Sequence, residues 1–206
     1  MKIYFDMNIY NRIFDDQAQM RIRFESMAID ILFELVEKGK YDLVWSFILE
    51  YENSRNPFVE RRLHINSIST LCKETIEPND NIKLIAKDII EHSNTKDKDA
   101  LHLASAIYEN CEYFINCDDK FIKTVEKNRD RLKDTIKNIK LYNPIDFLRK
   151  EMDIQVKILV RCLFYYLSLF LSTPGKRSIL KYPEDGPFYA LNQTWYIYII
   201  TVYCII

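Results

Sequence analysis

Four acidic residues lie near the predicted ends of strands or starts of helices, where an α/β fold could bring them into one site: Asp6, Glu50, Asp99 and Asp118. Asp6 and Asp118 each follow closely on a run of three apolar residues that is typical of a short buried strand. Asp99 opens a predicted helix, and Glu50 lies in the first turns of another. Carboxylates gathered in one cleft repel each other and are hard to keep ionised without a cation. Oxygen ligands with no His or Cys suit Mg²⁺ or Mn²⁺, which can activate a water and neutralise charge on a phosphodiester.

Each of these acids also has a purely structural interpretation. Asp6 suits the cap of the short helix that follows it, and Asp99 suits the first turn of a helix, where the helix dipole favours negative charge. Glu50, with Glu52 beside it, fits an exposed helix face, and Asp118 fits a turn. For any single acid the structural interpretation is the better one. For four acids at matching positions around one sheet, we favour a shared site.

The elements that must position these acids alternate between short apolar runs and longer amphipathic segments. The runs predict strands and the amphipathic segments predict helices. Strands are expected over 3–5, 41–45, 73–76, 113–115 and 136–141, and helices over 19–38, 58–71, 79–92, 99–110 and 121–127, with another opening at Ser46. This alternation predicts an α/β fold with a mostly parallel central sheet flanked by helices. Asp6 and Asp118 then lie at the carboxyl edge of that sheet, where such folds place their chemistry.

Composition narrows the function classes. The 206 residues carry a net charge of −1, which argues against a tight duplex binder but is compatible with an acidic metal site that has a basic rim. Only three glycines occur, at 39, 175 and 186, so a glycine-rich phosphate loop is excluded from the first 150 residues. Five cysteines without C-x-x-C spacing and three scattered histidines argue against a disulfide framework and a structural zinc site. Because the N-terminus does not read as a signal peptide, we expect a cytoplasmic protein.

The last quarter of the chain differs in composition, so we divide it into residues 1–150 and an apolar, Tyr-rich extension over 151–206. Apolar runs at 154–171 and 195–206 flank a connector, and neither reaches the about 18–20 uninterrupted apolar residues of a spanning helix. Three interpretations stay open: a membrane-associating tail, a helical addition that packs on the core or a partner, and residues from a shifted or extended reading frame. We favour the third because the segment lacks matched polar faces, and membrane contact through 154–206 is not favoured.

Five segments of the chain resemble the PIN domain, most closely its bacterial and archaeal VapC-like group. They are D-M-N at Asp6–Asn8, S-F-I-L-E ending at Glu50, D-A-L-H-L-A at Asp99–Ala104, F-I-N-C-D-D-K-F at Phe114–Phe121 and N-P-I-D-F at Asn143–Phe147. No one motif is specific, but their order and spacing are, and together they span about residues 1–150. The resemblance implies a three-layer α/β/α fold and a metal-dependent endoribonuclease that acts on single-stranded or looped RNA. It often also implies the toxin of a toxin–antitoxin pair.

The same resemblance implies roles for individual residues. Asp6, Glu50, Asp99 and Asp118 match the acidic quartet that holds Mg²⁺ or Mn²⁺, and they are the catalytic and metal-ligating residues it implies. The metal would activate a water for in-line attack on phosphorus and steady the leaving 3′ oxygen. Asn8 matches the polar residue that orients Asp6 or the water. The implied partners are an RNA substrate and a cognate antitoxin, and a homodimer is compatible with both.

Two positions depart from the family pattern. Met7 stands where Thr or Ser is common, and Asn116 stands where Thr or Ser usually precedes the last acid, so each lacks a hydroxyl that supports the metal ligands. Asn116 still offers a donor and an acceptor and joins Asn8 and Asp119 as a supporting residue, although Asp119 also fits a solvated turn. Because of these departures, a non-catalytic PIN-like module that binds RNA or protein stays open as the alternative function.

Other polar residues near the motifs are weaker candidates. Arg12, Arg21, Arg23 and Lys120 could touch phosphate at the cleft rim, but an exposed helix face is the better interpretation. His102 lies three residues after Asp99, and we expect it to be a packed helix residue rather than a general base.

Overall fold

The computed structural model describes residues 1–151, and within them it has five strands and nine α-helices. In chain order these are β1 (Lys2–Phe5), α1 (Met7–Asn11), α2 (Met20–Glu37), β2 (Asp42–Ser46), α3 (Phe47–Ser54), α4 (Val59–Ser69), β3 (Glu74–Ile76), α5 (Asp80–Ser93), α6 (Asp97–Tyr108), β4 (Tyr113–Ile115), α7 (Asp119–Lys127), α8 (Lys133–Ile136), β5 (Lys140–Tyr142) and α9 (Pro144–Glu151). A single 3₁₀ turn, Arg12–Phe14, follows α1.

The five strands form one sheet in the order β3-β2-β1-β4-β5, and every neighbouring pair is parallel. This confirms the α/β fold and the parallel sheet expected from the alternation of elements. The strand order reverses between β1 and β4, which are paired so that Phe5 lies opposite Ile115. In open parallel sheets the crevice at such a reversal is where ligands bind.

Helices cover both faces of the sheet, as consecutive residues of β1 demonstrate. The ring of Tyr4 lies 6.0 Å from that of His102 in α6, whereas the ring of Phe5 lies 5.5 Å from that of Phe33 in α2. Because neighbouring side chains of a strand point to opposite faces, α6 and α2 lie on opposite sides. The fold therefore has three layers. Ile3, Tyr4 and Phe5 of β1 are fully buried and place large side chains on both faces of the sheet, as a central parallel strand requires.

The layer that contains α6 depends on close helix packing. The buried residues Ile82, Ala86 and Ile89 recur along α5 at the spacing of one helix face, and α5 packs against α6. The buried side chains of α6 include the small residues Ala100 and Ala104, which let neighbouring elements approach closely. Asn94, the residue after α5, takes the left-handed conformation (φ 56°) that closes many helices.

One predicted boundary is wrong. The strand expected over 136–141 begins only at Lys140, because Ile136 ends α8 and Lys137 turns the chain with a positive φ of 45°. Ile136 and Leu141 are both buried, so the apolar run does contribute to the core, but through two elements, α8 and β5.

No helix within residues 1–151 is long and apolar enough to cross a membrane. Of the predicted extension over 151–206, only Glu151 belongs to the described residues, and its carboxylate accepts hydrogen bonds from Tyr113 (2.9 Å) and Tyr142 (3.0 Å). The apolar runs predicted at 154–171 and 195–206 lie outside the described part of the chain.

Candidate functional site

Asp6 lies at the point where the strand order reverses. It directly follows β1, its side chain is buried, and its main-chain N–H donates to the carbonyl of Ile115 in β4 (3.0 Å). One carboxylate oxygen accepts the N–H of Asn8 (3.2 Å) and so caps α1, which confirms the capping interpretation. Burial raises the pKa of Asp6, and the nearby carboxylates of Glu52 and Asp118 raise it further.

Two asparagine side chains join the end of β1 to the end of β4. The buried Asn116 donates through Nδ2 to Oδ2 of Asp6 (3.0 Å), and its Oδ1 accepts Nδ2 of Asn8 (2.8 Å) and the N–H of Asp118 (2.6 Å). Oδ1 of Asn8 accepts the N–H of Cys117 (3.0 Å). The side chain of Asn8 therefore acts on Asn116, while Asn116 contacts Asp6 directly. An amide at this position supplies a donor to the carboxylate, as a hydroxyl would.

Asp118 and Asp99 complete a group of three acids. Asp118 is exposed and caps α7 through Oδ1, which accepts the N–H groups of Lys120 (2.8 Å) and Phe121 (3.1 Å). Asp99 lies half-buried in the first turn of α6, and its carboxylate accepts no hydrogen bond from residues 1–151. Burial raises the pKa of Asp99, and the charges of Asp6 and Asp118 also raise it. The charge of Asp118 thus acts on both Asp6 and Asp99.

Glu50 and Glu52, both on α3, differ in what they face. Glu50 is exposed, and its Oε2 accepts the indole N–H of Trp45 (3.3 Å). Glu52 is half-buried; its Oε2 lies 3.1 Å from Nε2 of His102 and its Oε1 lies 3.0 Å from Nζ of Lys98. Glu52 is also among the carboxylates that raise the pKa of Asp6. Glu52 therefore contacts α6, the helix that contains Asp99, whereas Glu50 bonds to a residue of β2.

The positions of Glu50 and Glu52 around the helix axis of α3 explain why the two glutamates face different neighbours. Ile48 and Leu49 are buried, and Glu52 follows them by four and three residues, so it shares their face of the helix. Glu50 is only two residues after Ile48 and lies off that face. The spacing from Ile48 and Leu49 was the sequence signal that would have placed Glu52, rather than Glu50, on the buried side of α3.

A line of buried polar side chains leads from Glu52 into the sheet. Nδ1 of His102 lies 2.8 Å from the hydroxyl of Tyr4, and that hydroxyl lies 2.6 Å from Oγ of Ser46. Because a carboxylate only accepts, Nε2 of His102 carries the proton that points to Glu52 in both charge states of the ring. The hydroxyls of Tyr4 and Ser46 can reverse their donor directions, so Nδ1 is satisfied whether or not it is protonated.

The charges along this line are those of an ion pair. Burial lowers the pKa of His102, but the charge of Asp6 and the hydrogen bond to Glu52 outweigh it and hold that pKa above its ordinary value. Burial raises the pKa of Glu52, but hydrogen bonds from His102 and Lys98 hold it below its ordinary value. Glu52 therefore stays ionised beside the other acids.

The arginines considered as phosphate ligands are mostly engaged elsewhere. Nε of Arg12 (3.0 Å) and Nε of Arg21 (2.9 Å) both pair with Glu25, whose side chain is only 1% exposed. Arg21 also pairs with Asp119 (3.0 Å), which accepts a second hydrogen bond from Asn143 (3.3 Å). Asp119 thus belongs to an ion-pair network that holds α2 and α7 together. Arg23, by contrast, is exposed and forms no ion pair within residues 1–151.

A cleft of about 970 Å³ opens beside Asp118, between α2 and α7. Its α7 side carries Lys120, Lys123 and Lys127, which recur at the spacing of one helix face and are exposed. None of these three lysines forms an ion pair with another residue of 1–151. These three lysines are suited to bind a polyanion that passes the acidic edge, the name we give to the edge of the sheet at Asp6, Asp99 and Asp118.

The donors at this edge fit a hard divalent cation in chemistry. They are carboxylates, and the pKa values of Asp6 and Asp99 are raised by burial and by neighbouring negative charge, which a cation would relieve. The ammonium of Lys98 already forms an ion pair with Glu52. As they stand, no three His, Cys, Asp or Glu side chains of residues 1–151 are close enough together to hold an ion. Binding of Mg²⁺ or Mn²⁺ would therefore be accompanied by side-chain rotation.

Comparison with known proteins found no matching family model and no matching curated protein. Among solved structures, the chain is similar to VapBC2 from Rickettsia felis, solved bound to a DNA fragment from their promoter, with 16% identity and a TM-score of 0.46 over 69% of this chain and 98% of that one. It is also similar to FitAcB from Neisseria gonorrhoeae, with 14% identity and a TM-score of 0.46 over 69% of this chain and 97% of that one. Neither likeness assigns a function to this chain.

Proposed function

We propose that this chain is a metal-dependent endoribonuclease of the PIN type that uses Mg²⁺ or Mn²⁺. One observation carries the proposal: Asn116 joins Asp6 to Asp118 at the strand-order reversal of a parallel sheet, and burial together with neighbouring negative charge raises the pKa of Asp6 and of Asp99. Open α/β sheets use this position for ligands and chemistry. The proposal agrees with the motifs that resemble VapC-like PIN domains.

The metal ligands we propose are Asp6, Asp99, Asp118 and one glutamate of α3. The motif match assigns the glutamate role to Glu50, but the contacts favour Glu52, because it bonds to His102 in the layer that holds Asp99. Glu50 is exposed and bonded to Trp45. We therefore assign the role to Glu52 and retain Glu50 as the alternative that the experiment below decides.

The side chains around the acids hold them in place for catalysis. Asn116, itself bonded to Asn8, donates to the carboxylate of Asp6, and it accepts the main-chain N–H of Asp118, so it holds the end of β1 beside the start of α7. His102 keeps Glu52 ionised. A bound Mg²⁺ or Mn²⁺ supplies Lewis acidity, which lowers the pKa of water and neutralises charge on a phosphodiester.

The surroundings of the site support a nucleic-acid substrate, and the VapC-like motifs favour RNA among nucleic acids. The exposed row of Lys120, Lys123 and Lys127 offers three cations to successive phosphates beside Asp118. The chain as a whole has a net charge of −1, so this row is a local concentration rather than a general basic surface. Such a row binds a backbone with little regard to sequence and leaves cleavage specificity to other contacts.

The biological role we propose is that of the toxin in a toxin–antitoxin pair, with a cognate antitoxin as its protein partner. This role rests on the VapC-like motifs. An antitoxin that supplies a basic side chain would compensate the charge of Asp6 and Asp99 without metal.

The test is cleavage of a single-stranded RNA of mixed sequence by the purified full-length chain, with Mn²⁺ and with EDTA. We expect Asp6→Asn and Asp99→Asn to reduce the rate by more than the roughly 10–100-fold that is typical for loss of an outer-sphere partner. Equal rates for the wild type and Asp6→Asn would refute the proposed site.

Glu50→Gln and Glu52→Gln form a matched pair on the same helix. We expect Glu52→Gln to lose activity comparably to the aspartate variants and Glu50→Gln to keep it. The opposite result would return the ligand role to Glu50 and leave Glu52 as the partner of His102.

The alternative function is a non-catalytic PIN-like module that binds RNA or protein. Met7, which is buried and offers no hydroxyl, and the absence of a preformed three-ligand cluster in residues 1–151 favour it. Calorimetry with Mn²⁺ and RNA separates the two functions. Binding of both with no cleavage of any RNA tested would support the module, whereas Mn²⁺-dependent cleavage that Asp6→Asn abolishes would exclude it.

A further inference from the structure

A hydrogen-bonded line of three side chains runs through the protein interior and ends on Glu52. Oγ of Ser46 lies 2.6 Å from the hydroxyl of Tyr4, that hydroxyl lies 2.8 Å from Nδ1 of His102, and Nε2 of His102 lies 3.1 Å from Oε2 of Glu52. Ser46 and Tyr4 are completely buried and His102 is 1% exposed. Glu52 is the member of the line that we propose as a metal ligand.

Packing alone does not account for this line. Burying a hydroxyl or an imidazole is unfavourable unless its partners are complete, and apolar side chains of similar volume fill a core at least as well. Here each polar group has its partner, so the line is a satisfied network that adopts one arrangement. Its inner end is rigid: Tyr4 lies on β1 and Ser46 on β2, which are neighbours in the sheet, and the Tyr4 ring stacks on that of Phe114 at 5.6 Å.

We propose that Tyr4 and His102 are positioning residues that set the Glu52 carboxylate for binding of a divalent cation, an inference that rests on the proposed function. A glutamate on a helix has three rotatable side-chain bonds, so a fixed donor on one oxygen removes much of the freedom that metal binding would otherwise have to restrict. The donor is always Nε2–H, because Glu52 only accepts. The orientation of the carboxylate therefore persists in both charge states of the imidazole.

The second oxygen of Glu52 is held differently. Oε1 pairs with the ammonium of Lys98, whose side chain is 62% exposed, whereas Oε2 faces the buried ring of His102. An exposed lysine exchanges its partner readily, and a buried histidine does not. Oε2 is thus the anchored atom, and Oε1 is the atom that a cation would take from Lys98.

The experiment measures Mn²⁺ affinity by calorimetry on the full-length chain without RNA, so its readout does not depend on cleavage. Tyr4→Phe keeps the ring and removes only the hydroxyl, and we expect it to weaken Mn²⁺ binding about tenfold. His102→Gln, which keeps a donor for Glu52 but loses the link to Tyr4, should weaken binding to a similar extent.

Tyr113→Phe is the matched control. Tyr113 is also a buried tyrosine of the sheet, and its hydroxyl donates to Glu151 (2.9 Å), away from the acidic edge. We expect it to lower the melting temperature about as much as Tyr4→Phe and to leave Mn²⁺ affinity unchanged. If Tyr4→Phe does not fold, His102→Gln provides the same comparison.

A double-mutant cycle separates positioning from general structure. In a Glu52→Gln background, Tyr4→Phe should weaken Mn²⁺ binding no further, because the carboxylate it acts on is gone. The same tenfold loss in both backgrounds, or no loss in either, would overturn the positioning role while leaving the nuclease proposal standing. Failure of the wild type to bind Mn²⁺ would overturn the proposed function and this inference with it.

Discussion

Asp99→Asn should make the metal-free protein more stable and at the same time abolish its response to metal. The carboxylate of Asp99 is half-buried and accepts no hydrogen bond from residues 1–151, and burial and the charge of Asp6 raise its pKa. A carboxyl whose pKa rises on folding destabilises the folded state at neutral pH, and that penalty is relieved as the pH falls through the raised value. Asparagine keeps the size of the side chain and removes the charge.

The magnitudes follow from these contacts. In EDTA at about pH 7, the gain in free energy of unfolding should be about 1 kcal/mol, the usual scale for removing an unfavourable charge from a functional site. For a chain of this size that is about 2–4 °C in melting temperature. Mn²⁺ at 100 times its dissociation constant should add about 2.7 kcal/mol, or about 5–11 °C, to the wild type and little to the variant.

Thermal unfolding followed by circular dichroism, in EDTA and in Mn²⁺, measures both effects. Asp97→Asn is the control, because Asp97 lies in the same turn of α6, is exposed, and has no part in the proposed site. It should change neither melting temperature by more than about 1 °C. The reasoning fails if Asp99→Asn melts lower than the wild type in EDTA, or if it keeps the full Mn²⁺ response.

Three further predictions concern the rim, the amide bridge and the buried ion pair. Lys123→Ala should weaken binding of single-stranded RNA, measured by fluorescence anisotropy, and reduce the slope of log affinity against log salt by about 0.7, whereas Lys83→Ala on α5 should change neither. Asn116→Leu should lower the free energy of unfolding in urea by about 3 kcal/mol, because Oδ2 of the buried Asp6 and the main-chain N–H of Asp118 lose their partner. A loss under about 1 kcal/mol would contradict the bridge. His102→Gln in EDTA should lower the free energy of unfolding relative to the wild type most from about pH 4.5 to pH 6.5. These limits are the ordinary pKa values of Glu52 (4.5) and His102 (6.5). The difference should shrink below that window as the lowered pKa of Glu52 is crossed and above it as the raised pKa of His102 is crossed, so a pH-independent difference would contradict the ion pair.

Much of the fold could be predicted from the sequence because its signals are local. The apolar run before Asp6 is a strand, and the alternation of elements gives a parallel sheet. The position of Asp118 after a second such run predicted its place beside Asp6, since parallel strands that are neighbours end at the same edge. The choice between Glu50 and Glu52 was also local, but it required the helical phase of α3 rather than a short motif.

The buried line could not be predicted in the same way. Tyr4 and His102 are 98 residues apart, and their contact depends on which helix covers which face of β1. His102 was expected to be a packed helix residue, and it is buried as expected, but its two ring nitrogens are both engaged. Residue type and spacing along the chain contain no information about such a pairing.

The two border strands of the sheet limit how copies of this protein can associate. β3 and β5 have three residues each, and each carries a residue of an ion pair. Glu74 of β3 pairs with Lys2, and Lys140 of β5 pairs with Glu151. Short borders that carry charge disfavour the addition of a strand from a second molecule. As far as residues 1–151 are concerned, these borders therefore disfavour a homodimer that would join two sheets edge to edge.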